Sequence, residues 1–249
     1  MRTRLPSILA AVLLLAAAVF AATPPQPITA GKMVRFGDGE GYLVQPAAPG
    51  PHPAVIVIQE WWGLNAWVKQ QARRLARQGY VALAPDLYHG QVATTPRQAL
   101  ALVRGFNINR GLRDLESAFD YLWRSHAVQD GRVGEIGWCF GGGLAAQLAE
   151  REPLLKACVI YYGDVPTGAA AGRIRCPVLG NFGGADRSIP PSRAEAFARA
   201  VRAAGVPVNL KIYPGMPHAF AHLTTPAGRA AAADAWARTL AFFAQHLRG

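Results

Sequence analysis

Cysteine is scarce in this chain, and its placement excludes one kind of site at once. The 249 residues hold three, at positions 139, 158 and 176. None has the CxxC spacing of a thiolate metal site. Acidic residues are also few: 15 Asp and Glu stand against 26 Lys and Arg, a formal charge of +11. A basic balance can suit an anionic partner, but here the positive residues are scattered singly or in pairs, and no tract interleaves them with aromatics. No nucleic-acid partner is expected. Arginine far outnumbers lysine and alanine is abundant, which reads as a composition bias rather than a binding face. No repeat or low-complexity linker divides residues 28–249. A single α/β domain suits that length.

What is present begins with a segment to set aside. Arg2 and Arg4 precede an apolar run over 5–22 that ends in small residues and then Thr23, Pro24 and Pro25. That is the layout of a secretory signal peptide over 1–22, with cleavage expected after Ala21 or Ala22. A membrane anchor is the alternative, but the run is at the short end for a spanning helix. No cysteine lies near the new N-terminus to carry lipid. Export to a bacterial periplasm or beyond is therefore expected, with no stable membrane association afterwards. Loss of Arg2 and Arg4 lowers the charge from +11 to +9. In that setting an odd cysteine count leaves at least one thiol unpaired. Cys158 and Cys176 sit in apparent core strands as small hydrophobes, with a disulfide between them the alternative.

Beyond an extended lead-in over 23–31, residues 32–249 read as one domain. Gly37, Asp38 and Gly39 signal a hairpin between strands at 32–36 and 40–45. Ala54 to Ile58 is a β-branched run suited to a strand buried on both faces. Further strands are expected at 80–84, 132–137, 156–161, 177–182 and 207–213, and helices at 65–78, 96–104, 109–125, 141–150, 191–204 and 226–247. This alternation predicts a mostly parallel sheet covered by helices on both faces. Chemistry in such sheets gathers at the strands' carboxyl ends.

One motif sits there. Gly137-Trp138-Cys139-Phe140-Gly141-Gly142 falls between a strand and a helix, the setting of a nucleophile elbow. The glycines permit the sharp turn and the close packing of helix on strand. A thiol beside a helix N-terminus is expected to have a lowered pKa. A cysteine nucleophile needs a base and a group to orient that base. His218 follows the last strand and precedes the last helix, the place for the base. Asp186 follows the strand over 177–182 in a glycine-rich loop and is the leading acid, with Asp164 its competitor after the strand over 156–161.

The elbow, the run Gln59-Glu60-Trp61-Trp62-Gly63-Leu64-Asn65, Ala84-Pro85-Asp86-Leu87-Tyr88, the Asp186 loop and Pro217-His218-Ala219-Phe220 occur in one order. Together they resemble the dienelactone hydrolase family over nearly all of 32–247. The resemblance implies an α/β-hydrolase fold and a cofactor-independent carboxylic ester hydrolase of the carboxymethylenebutenolidase type. It implies Cys139 as nucleophile, His218 as base and Asp186 as its orienting partner, with Glu60 taking part in activating the thiol. The Trp61 and Phe140 amides would form the oxyanion hole, and Trp62, Tyr88 and His222 would contact substrate. Trp67, on a helix, is read as core.

Two positions depart from the family pattern. Where the resemblance implies arginines that clamp a substrate carboxylate, this chain has Gly90 and His222. Neither can pair bidentately with a carboxylate. The expected substrate is therefore a less acidic ester, lactone or thioester. His222 is instead a candidate partner for Glu60, which would make thiol activation pH-dependent. His89 is read either as lining the same mouth or as an ordinary loop residue. No metal is expected, because the elbow glycines have no role in a Cys139/His218/His222 metal site. A monomer acting on a small-molecule ester or lactone is expected, with a broad carboxylesterase or thioesterase, or a non-catalytic exported binding protein, as alternatives.

Overall fold

The computed structural model describes residues 24–248, so the expected signal peptide lies outside the described residues. Among these residues, eight strands form one sheet: β1 Lys32–Phe36, β2 Gly39–Val44, β3 His52–Ile58, β4 Val81–Pro85, β5 Val128–Trp138, β6 Ala157–Tyr161, β7 Val178–Gly183 and β8 Val208–Tyr213. Six α-helices accompany them: α1 Ala66–Arg77, α2 Pro96–Gly105, α3 Ile108–Trp123, α4 Phe140–Arg151, α5 Pro191–Ala203 and α6 Pro226–Leu247. The strand order is β1-β2-β4-β3-β5-β6-β7-β8. β1, β2 and β4 pair antiparallel, and β4 through β8 pair parallel. This is the mostly parallel, helix-covered sheet expected from the alternation of elements, in the α/β-hydrolase arrangement that the resemblance implies.

The two-sided burial of the sheet follows from the period-2 geometry of a strand. In β3, Ala54, Ile56 and Ile58 face one apolar cluster, with α3, α4 and α5, while Val55 and Val57 face a second, with α1 and α6. All five are fully buried. Each such Val or Ile contributes about 1.5–3 kcal/mol relative to an exposed side chain. The Gly37–Asp38 turn closes the β1–β2 hairpin, with Phe36 opposite Gly39. β5 starts earlier than the expected residue 132, because His52 pairs with Val128 across a register shift between His52 and Ala54. Two short 3₁₀ turns, at 171–173 and 220–222, have no counterpart in the sequence reading.

The topology places the site. From β3 the chain crosses through α1 to β4 on one side; from β4 it returns to β5 on the other side of β3. The carboxyl ends of β3 and β5 thus flank the point where the winding reverses, the usual crevice of an open α/β sheet. Glu60, Trp61 and Trp62 follow β3, and Cys139 follows β5.

Candidate active site

The elbow is held by backbone contact too close for any other residue. A Cβ on Gly137 would meet the Gly141 carbonyl oxygen at 2.1 Å, and one on Gly141 would meet the Gln59 carbonyl oxygen at 2.3 Å. Helix α4 can pack this tightly on β3 and β5 only with glycine at both positions. Between them Cys139 adopts φ 54°, ψ −118°, which turns its side chain out of the sheet. Its amide donates to the Tyr161 carbonyl at 3.0 Å, tying the turn to β6.

From Cys139 a chain of polar contacts runs inward. The Sγ atom lies 3.1 Å from His218 Nε2. His218 Nδ1 lies 2.7 Å from Asp186 Oδ2. An ionised carboxylate only accepts, so Nδ1 carries the proton and Nε2 is left to accept from the thiol. Asp186 is itself anchored: its Oδ1 accepts from the Ser188 and Ile189 amides at 2.8 and 2.9 Å. The Asp186 side chain is fully buried. Asp164, the competing acid, is 64% exposed and pairs with Arg193 at 2.6 Å, away from His218.

Glu60 closes the other side. Its Oε2 accepts from His222 Nε2 at 2.8 Å, and its side chain is only 4% exposed. The hydrogen bond to Glu60 raises the His222 pKa, against the opposing effect of burial. Trp67 covers the imidazole with ring centroids 4.4 Å apart. It also packs edge-on to Trp138, so it has the core role expected and a second one not foreseen.

The thiol departs from expectation. A lowered pKa was expected at the helix N-terminus, but burial pushes the Cys139 thiol up to about 12. Glu60 and Asp186 push the same way, and the Phe140 amide at the helix start opposes them without prevailing. Removal from water and nearby negative charge both disfavour a thiolate. The resting thiol is therefore protonated.

Cys139, His218 and His222 open onto a cavity of about 560 Å³ lined also by Glu60, Trp61, Trp62, Ser188 and Ala219. Trp61 and Trp62 meet edge-to-face at 5.0 Å and form its apolar wall. The Trp61 amide has no hydrogen-bond acceptor among the described residues, whereas that of Phe140 points at the Cys139 sulfur. Tyr88, expected among the substrate contacts, does not line this cavity. It is buried, with its ring 6.0 Å from Phe140 and 5.8 Å from Phe106. With His89 it borders a separate cavity of about 430 Å³. The local cause is Asp86, whose carboxylate accepts from the Tyr88 and Gly90 amides and folds the loop away. His89 pairs there with Asp114 at 3.4 Å. Cys158 and Cys176 are buried free thiols. Among the described residues no group of three acidic, histidine or cysteine side chains converges as metal ligands.

Ser188 and Tyr162 belong to the site but escape the sequence reading. Ser188 reaches the cavity through the turn that Asp186 caps. Tyr162 directly follows β6, and its ring stands edge-on to His218 at 5.2 Å.

Known proteins resemble this chain over most of its length. The profile of the "Dienelactone hydrolase family" matches residues 40–247. A protein of Methylorubrum extorquens named "Putative carboxymethylenebutenolidase" is 34% identical over 245 residues, covering 90% of this chain and 84% of that one. "Protein usf" of Aquifex pyrophilus is 34% identical over 236 residues, covering 87% and 99%. Among solved structures, a dienelactone hydrolase-like promiscuous phosphotriesterase from metagenomic libraries superposes with a TM-score of 0.78. It is 25% identical, over 88% of this chain and 98% of that one.

Proposed function

Since this chain belongs to the dienelactone hydrolase family, we propose that it hydrolyses an ester or lactone with Cys139 as nucleophile, His218 as base and Asp186 as the group that orients the base. The observation that carries the reading is the unbroken run from Sγ through the imidazole to the carboxylate, at 3.1 and 2.7 Å, at a strained elbow. Activation starts from a neutral thiol. The Sγ–H bond breaks, the proton passes to His218 Nε2, directly or by way of Glu60, and the electron pair left on sulfur attacks the substrate carbonyl carbon. The carbonyl oxygen takes the negative charge toward the Trp61 and Phe140 amides. Each such donor is typically worth about 2.7–4 kcal/mol in the transition state. Collapse expels the alkoxide, which takes a proton from His218, and leaves a thioester on Cys139. Water deprotonated by His218 then attacks the thioester, and the thiol is released.

The cavity favours a substrate without a carboxylate. Among the described residues no arginine or lysine lines it. His222, the histidine there whose pKa is raised, is already engaged by Glu60. The Trp61–Trp62 wall suits an apolar acyl or alcohol portion. Export with loss of residues 1–22, and action as a monomer, belong to the same proposal.

The test is hydrolysis of p-nitrophenyl acetate by the purified mature chain and by Cys139→Ala. Turnover that disappears in the variant supports the assignment. Equal turnover in both overturns it.

A further inference from the structure

The cavity of about 430 Å³ outside the catalytic one lies between the loop that follows β4 and the corner where α2 meets α3. Its size is that of a small-molecule site. Among the described residues none lines both cavities. Phe140, next in the chain to the nucleophile, joins their walls by packing against Phe106 at 5.0 Å and Tyr88 at 6.0 Å. The lining is divided in character. Leu87, Ala101, Leu102 and Phe106 make one part apolar, while Gln91, Asn107 and Arg110 bring polar groups to the rest. No acidic side chain is among the lining residues. The acids that flank this segment are used elsewhere. Asp86 accepts from the Tyr88 and Gly90 amides, and Asp114 pairs with His89 at 3.4 Å.

Arg110 is the residue that lacks a partner. It stands in the first turn of α3, where the positive end of the helix dipole disfavours a cation, and that turn holds no acid. Among the described residues its guanidinium makes no ion pair at contact distance, since Asp114, one turn further on, is turned to His89. Asn107 spends its side-chain oxygen on the Arg110 amide at 3.0 Å, which leaves its amide N–H groups as donors. Two neighbouring side chains of the cavity thus present donors and no free acceptor. The roof above them is lightly held. Of the ten residues of α2 only Ala99 is buried, and Leu100 is 42% exposed. A helix with so little buried surface opens at small cost.

We propose that this cavity is a second ligand site, which takes small apolar monocarboxylates. The carboxylate lies on the Arg110 guanidinium, whose planar fork pairs with it bidentately, and Asn107 adds a further donor. The apolar body lies against Leu102 and Phe106. A neutral ligand would leave the donors unmet, and a bare inorganic anion would leave the apolar wall in water. The site itself does not depend on the reading of Cys139 as nucleophile. On that reading, the acid released by ester hydrolysis belongs to the same chemical class, so the enzyme's own product is one of the ligands.

The experiment is calorimetric titration of the purified chain with benzoate, and with benzyl alcohol and inorganic phosphate for comparison. Wild type is set beside Arg110→Gln, Ala101→Trp and Trp62→Ala. Arg110 and Ala101 are exposed, so their variants leave the fold intact. The expected result is saturable benzoate binding in wild type, weakened about 10-fold or more in Arg110→Gln. Binding disappears in Ala101→Trp, which fills the cavity, and is unchanged in Trp62→Ala. Absence of saturable binding, or equal affinity in Arg110→Gln, overturns the proposal. Loss of binding in Trp62→Ala also overturns it, by placing the ligand in the catalytic cavity. So does benzyl alcohol or phosphate binding as tightly as benzoate, since one part of the site would then have no role. None of these titrations needs turnover. Benzoate binding by a chain inactive on esters would sink the hydrolase reading alone. Cys139-dependent turnover without benzoate binding would sink this proposal alone.

Discussion

His222 Nε2 lies 2.8 Å from Glu60 Oε2, beneath the indole of Trp67, in a chain where these partners are 162 residues apart. The pair joins an imidazole to a carboxylate that also helps to raise the pKa of the Cys139 thiol.

The pair's dependence on pH has a sign. The hydrogen bond to Glu60 raises the folded-state pKa of His222 above 6.5. A raised histidine pKa adds stability that is fully present below the unfolded value and is lost as pH rises through the folded one. Thermal melts of wild type are expected to lose stability from about pH 6.5 upward relative to His222→Gln. Parallel melting curves for the two proteins would contradict the assignment.

Glu60→Gln is expected to move two readouts in opposite directions. Removing the carboxylate removes one cause of the raised thiol pKa, so iodoacetamide alkylation of the free enzyme speeds up. Ester hydrolysis slows, because the thiol proton loses an acceptor. Two changes of the same sign would mean that Glu60 has a structural role alone.

Asp186→Asn and Asp164→Asn separate the two acids that follow strands. The first removes the acceptor that fixes the His218 tautomer, so kcat is expected to fall on the order of 10⁴-fold. The second breaks an exposed pair with Arg193, so kcat stays within a factor of two. Steady-state kinetics on one ester settles both.

Glu135 is a stability liability within β5. It is fully buried, its carboxyl group has no neighbour to bond beyond the weakly polar Cys158 thiol among the described residues, and burial raises its pKa well above 4.5, against the smaller lowering by that thiol. Glu135→Met is expected to stabilise the fold by about 1–3 kcal/mol, by removing a buried polar group that only a weak thiol partner offsets. A raised carboxyl pKa subtracts stability as pH climbs past the unfolded value, so the gain is larger at pH 8 than at pH 5. Urea unfolding at the two pH values measures it.

Much of this arrangement is legible in the sequence because it rests on periodicity and on strand ends. The Ala54–Ile58 run has the composition of a strand buried on both faces, and that is how the structure uses it. His218 and Asp186 stand out by following strands. Ser188 and Tyr162 do not, because a capped turn and a left-handed backbone bring them to the site, and neither leaves a periodic trace. Tyr88 misleads for a related reason: the Asp86 carboxylate redirects its loop. The protonation of Cys139 is the deepest miss. It depends on burial and on a carboxylate delivered from another strand, whereas the helix start beside it is a local feature.

The scatter of site residues over separate strand ends has a consequence for how the molecule is made. Cys139 and His218 are 79 residues apart, and Glu60 and His222 162 apart. Every one of these contacts waits on closure of a long loop and on parallel strands, which are slow to find their register. A partly assembled sheet can hold most of its apolar interior and still have no active centre. Recovered turnover after dilution from denaturant would therefore lag behind recovered secondary structure and report the docking of β8, the outermost strand next to His218.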